Sequence, residues 1–221
     1  MKQLFAFVLV LISLTFIPSC SKDESAFEKS SEAYNEITTA YKIADEMGAD
    51  VYEACRLGIY EKEKILGDAI GVLSKELALS RDDIRESIVY TSASWLYLDY
   101  EELSEEERTE YLENANIIVG LFEDDLSSFC VDVAYNTYVL SGKADEAKTA
   151  LENAKDKMKE LSEKHSDYEH YPNVKGYYTK TFSLFNICQA SEGTLEQLKK
   201  AINNYRNDAR EFKSNLDFIF E

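Results

Sequence analysis

The sequence predicts an all-α protein, and three observations carry that prediction. Its 221 residues include only 8 glycines and 2 prolines, too few turn formers for a β-sandwich or barrel. Apolar residues recur at alternating steps of three and four along several long segments, the period of a helix with one buried face. At four expected helix starts, a Ser or Thr is followed three residues later by an acid or amide, the pairing that closes a helix N-terminus. With 45% apolar and 30% charged residues the chain can bury a core, and a net charge of −18 excludes the phosphate backbone of nucleic acid as a partner.

Residues 1–19 read as an export signal. Met1-Lys2-Gln3 is a short, weakly positive start, and Leu4 to Ile17 is apolar but shorter than the roughly 20 residues a membrane span needs. Residues 20–25 form an acidic linker, and 26–221 a single helical domain. Helices are expected over 25–47, 49–60, 61–78, 81–103, 105–121, 124–141, 143–165, 174–191 and 194–219, some continuous with a neighbour. The first opens at the Ser25/Glu28 pair. The 81–103 helix opens at Ser80/Asp83 and carries the stripe Ile84, Ile88, Thr91, Trp95 and Leu98. Ser104/Glu107 opens the next, and Glu105-Glu106-Glu107 suits the positive end of its dipole. Glu123-Asp124-Asp125 does the same for 124–141, which Gly142 ends by supplying a left-handed residue. The stripe of 143–165 is Ala144, Ala147, Leu151, Ala154, Met158 and Leu161. Ser166 to Asn173, with Pro172, reads as irregular. Gly193 marks a further break before Thr194/Gln197, which opens a helix striped by Leu195, Leu198, Ile202, Tyr205, Ala209, Phe212, Leu216 and Ile219.

The signal closes with Ile17-Pro18-Ser19-Cys20, which resembles the lipobox of bacterial lipoproteins: an aliphatic residue, a small residue, then a cysteine. The resemblance implies acylation of Cys20, which becomes the first residue, and two or three acyl chains on one residue anchor stably. Ser21-Lys22-Asp23-Glu24 is similar to the short acidic export signal of surface lipoproteins in Bacteroidetes-type bacteria. Together these imply a lipid-anchored protein of the outer membrane exposed at the cell surface, with its periplasmic face as the fallback. Cys55, Cys130 and Cys188 then remain, an odd number with largely apolar neighbours, and read as buried thiols.

Internal repetition is weak but organised. Leu112-Glu113-Asn114-Ala115 returns as Leu151-Glu152-Asn153-Ala154, thirty-nine positions on, and Ala201 to Tyr205 fits the same frame a further fifty-one on. Around the middle copy, Tyr138, Gly142, Ala147, Leu151 and Ala154 resemble the tetratricopeptide repeat, which implies a stack of αα-hairpins. Leu198 and Tyr205 replace the small residues of that pattern in the last copy, and no copy ends in proline. A compact helical bundle is the alternative arrangement.

No constellation of catalytic residues stands out, so no enzyme activity, cofactor or metal is expected. His165 and His170 flank Ser166-Asp167-Tyr168-Glu169 on a polar loop without the spacing of zinc or di-iron motifs. There is no Gly-x-Ser-x-Gly elbow and no glycine-rich phosphate loop. The distinctive feature is aromatic: 15 tyrosines and 1 tryptophan. Tyrosine supplies amphipathic contact area at binding surfaces. Trp95, Tyr135, Tyr138, Tyr177 and Tyr178 are the candidate partner-binding residues, lining a concave groove for a protein or peptide partner; burial in the core is the other place for them. A flat aromatic platform instead gives the alternative function, an accessory glycan-binding lipoprotein of a nutrient-uptake system.

Overall fold

The computed structural model describes residues 17–189 and 194–221. Residues 1–16 and Gly193 lie outside the described residues, as does the side chain of Cys20. The described chain is helical, with no strand among its residues. Its α-helices are α1 (Ile17–Tyr60), α2 (Lys62–Glu76), α3 (Arg81–Trp95), α4 (Glu105–Glu113), α5 (Ala115–Val119), α6 (Leu126–Leu140), α7 (Lys143–Lys164), α8 (Tyr171–Ile187) and α9 (Leu195–Phe220). Short 3₁₀ turns at Tyr100–Glu102 and Gly120–Asp125 join the middle elements.

Helix α1 organises the bundle. Its 44 residues extend about 66 Å at 1.5 Å per residue, and α6, α7, α8 and α9 all pack against it. A regular hairpin stack has each repeat touching its neighbours; here the hairpin halves α6 and α7 meet chiefly through α1. Polar pairs fix the directions. Lys143 with Glu46, Lys157 with Glu32 and Lys29 with Glu160 run α7 antiparallel to α1. Asp45 with Arg206, Tyr41 with Arg210 and Tyr34 with Asp217 do the same for α9.

Small residues let these helices close up. Ala33, Ala40, Ala44 and Ala54 on α1, and Ala147, Ala150 and Ala154 on α7, are buried. At Gly58 the crossing of α1 and α6 is so tight that an added Cβ would lie 2.5 Å from the Ser127 Cα. The expected stripes are buried too: Ala144, Ala147, Leu151, Ala154, Met158 and Leu161 on α7, and Leu198, Ile202, Ala209 and Leu216 on α9.

Helix ends largely follow the capping signals. Ser104 and Thr194 form reciprocal capping boxes, and the Ser80 side chain accepts from the Asp83 N–H. Gly142 sits at φ 76° between α6 and α7, as a left-handed stop requires. Ser25 opens nothing: α1 runs through it, and 20–25, expected as a linker, is helical backbone. The break expected after 47 is absent as well: Gly48 lies inside α1, on the side where an added Cβ would lie 3.4–3.6 Å from Ile202 of α9, Leu184 of α8 and Cys188 at the end of α8. Pro172 begins α8 instead of interrupting it, since proline's fixed φ and missing N–H suit the first turn. The helix expected over 81–103 stops at Trp95. His165, read as part of a solvated loop, is buried at the end of α7. Cys55, Cys130 and Cys188 are buried free thiols, and burial pushes Cys130 and Cys188 up to about 12.

Candidate functional site

The five aromatic residues singled out from sequence divide between core and surface. Tyr177 is fully buried, its ring packed between Tyr34 and Tyr41 of α1 and its hydroxyl 3.5 Å from Thr38 Oγ1. Tyr138 is buried beside α1 and donates a 2.6 Å hydrogen bond to Asp50 Oδ2. Trp95 is partly buried, edge-on to the stacked rings of Phe122 and Phe129, and its indole N–H donates to Asp132 Oδ2 at 2.8 Å. These three hold helices together and do not line a groove. A side chain packed against a neighbouring helix cannot also face a partner: Tyr138 and Tyr177 point at α1, and Trp95 points at α6 and the 120–125 turn.

Tyr135 and Tyr178 do come together. Both line a groove of about 420 Å³ formed by α6, α7 and α8. The hairpin turn at Gly142 brings the end of α6 beside the start of α7, and α8 closes the far wall. Ala144, Leu151 and Phe185, all buried, make the floor. Tyr178 stacks on Phe182, rings 6.0 Å apart and 14° from parallel, one helical turn along α8. Phe182 is itself 43% exposed, a large apolar ring left open to the groove.

The α7 rim is charged with alternating sign. Asp145, Lys148, Glu152 and Lys155 follow steps of three, four and three, which sets them in one row above the floor. The amides of Asn186 at the end of α8 and Gln189 in the turn after it also line the groove. Among the described residues, neither the Tyr135 nor the Tyr178 hydroxyl makes a hydrogen bond to the protein. Partial burial holds both phenols above their ordinary value, so they are neutral donors at physiological pH. The site therefore combines an apolar floor, aromatic walls, unengaged hydroxyls and amides, and a rim without net charge. That chemistry is complementary to a ligand with both apolar and polar groups.

Phe182 was missed by the sequence reading, though its spacing of four from Tyr178 is the signal that could have found it. Among the described residues no cluster of three or more His, Cys, Asp or Glu is placed to hold a metal ion, and no helix is long and apolar enough to cross a membrane. Compared with known proteins, the chain matches no family model, and no curated protein or solved structure resembles it significantly.

Proposed function

We propose that this protein is a lipid-anchored envelope protein, held at the outer membrane through Cys20, that works by binding a peptide segment of a partner protein in the α6–α7–α8 groove. The anchor rests on the sequence Ile17-Pro18-Ser19-Cys20 behind an apolar stretch. One observation carries the binding function: Tyr178 and Phe182 present a stacked aromatic wall to solvent over an apolar floor, with an uncharged sum of charges along the rim. Exposed aromatics over an apolar floor, rimmed by polar groups, are the usual anchor points of a recognised chain.

A photo-crosslinking residue at position 182, in the native envelope, tests this directly. A discrete adduct is expected, lost when Tyr178→Ala is added. The same probe at the exposed Phe218, outside the groove, serves as the control. Absence of an adduct from 182, or an identical pattern from 218, would sink the groove. The anchor is tested separately by mass: the mature chain should carry acyl groups that Cys20→Ser abolishes.

A further inference from the structure

A second surface, remote from the groove in sequence, lies at the end of α3. There the chain leaves the helix through Tyr97 at φ 58°, a left-handed conformation that non-glycine residues seldom adopt. The turn itself is well made: the Leu98 N–H donates to Ala93 O at 2.8 Å and the Tyr97 N–H to Ser94 O at 3.1 Å, the paired bonds that close a helix C-terminus around a residue usually glycine. The Tyr97 side chain gives the fold nothing in return. It is 97% exposed and makes no hydrogen bond, ion pair or ring contact among the described residues. Leu96 and Leu98 on either side are 40% and 41% exposed. A strained, outward-pointing aromatic between two exposed leucines is an outlier that the interior does not explain.

Its surroundings state what it suits. Tyr97 borders a cleft of about 400 Å³ with Tyr90, Tyr100, Ser94, Asp99 and Glu101. The Tyr90 and Tyr100 rings lie 5.2 Å apart, and Asp99 and Glu101 line the cleft, Asp99 Oδ1 accepting from the Glu101 N–H at 2.9 Å. The protein already places one guanidinium on this cluster: Arg108 sits 4.6 Å from the centre of the Tyr100 ring, and its Nη2 donates to Glu101 O at 3.0 Å and lies 3.7 Å from the Glu101 carboxylate. Aromatic faces beside carboxylates are complementary to a guanidinium, which stacks and pairs at once. The cleft's own charged lining is acidic, and the chain carries −18 overall.

From these observations we infer that the Tyr90–Tyr97–Tyr100 cleft is a docking site for an arginine-bearing segment of a partner protein, distinct from the α6–α7–α8 groove. The guanidinium stacks on Tyr97 and pairs with Asp99 or Glu101, while Leu96 and Leu98 cover the aliphatic stem. This site depends on neither the lipid anchor nor the groove.

Tetra-arginine peptide is the probe, titrated into the full chain at about 150 mM salt, where long-range attraction to the acidic surface is largely screened. Calorimetry reads affinity, and fluorine NMR of fluorotyrosine-labelled protein reads the Tyr97 ring, assigned by its loss in Tyr97→Gly. Tyr97→Gly suits the left-handed turn, so it folds, and circular dichroism checks that. It should weaken binding about fivefold, in keeping with an exposed cation–π contact. Tyr97→Phe should restore binding to within about twofold, and tetra-lysine should bind less tightly than tetra-arginine. Equal affinity of parent and Tyr97→Gly would assign the peptide to the acidic surface at large and overturn the proposal. A Tyr97 resonance moved by maltohexaose and unmoved by tetra-arginine would overturn it in favour of a sugar.

Discussion

The Tyr138 hydroxyl donates a 2.6 Å hydrogen bond to Asp50 Oδ2, tying α6 to the last third of α1. Burial raises the Asp50 carboxyl above its ordinary value of 3.8, and the Tyr138 bond opposes that rise without cancelling it. Tyr138→Phe removes the donor and leaves a half-buried carboxylate unpaired, at a cost of about 1–3 kcal/mol. Urea denaturation at neutral pH measures it.

The same pair gives a pH dependence of definite sign. A carboxyl whose folded value is raised contributes stability below its unfolded value and loses it as pH climbs through the folded one. Asp50→Asn, which still accepts from Tyr138, removes this term. Its stability relative to the parent should therefore increase as pH rises from about 3.8 upward. A constant difference between acid and neutral pH would contradict the assignment.

Tyr177 and Tyr178 are neighbours with opposite duties. Tyr177→Ala empties a fully buried site against Tyr34 and Tyr41 and should cost about 3–5 kcal/mol. Tyr178→Ala trims a half-buried ring at the groove and should cost about 1–2 kcal/mol. Thermal melts of the two variants separate the roles.

Replacing Tyr97 by glycine relieves a left-handed residue that no internal contact compensates. The variant should gain about 1 kcal/mol, seen as a higher urea midpoint with an unchanged slope. A lower midpoint would show that the ring serves the fold.

Gly58→Ala should do the reverse. Alanine favours a helix by about 1 kcal/mol over glycine, but its Cβ would meet the Ser127 backbone, which cannot rotate away. Overpacking at such a crossing costs about 1–3 kcal/mol, so a net loss in melting temperature is expected.

The secondary structure was largely legible because each signal is local. Leu198, Ile202, Ala209 and Leu216 share a face whatever that face meets, and the Ser104 and Thr194 boxes need only their own first turn. What a signal leaves open is its context. Ser25 can cap a helix or sit within one, Gly48 can end a helix or admit a neighbour, and Pro172 can break a helix or begin it. The groove was half legible for a similar reason. Tyr177 and Tyr178 differ by one helical step of about 100°, and only the position of α1 decides which is core. Tyr97 could not have been read as a helix end, because the residue expected there is glycine.

Among the described residues, α1 is synthesised before the other helices and is completed by α9: Tyr34 bonds to Asp217 across 183 residues of sequence. Contacts of such separation form late, after the entropy of closing a very long loop has been met. An emerging chain therefore holds α1 with one apolar side bare until α9 arrives. A nonsense truncation before Leu216, trivial in length, would strip Asp217 and Phe220 from Tyr34 and Phe27 and uncover the start of the helix against which four others pack.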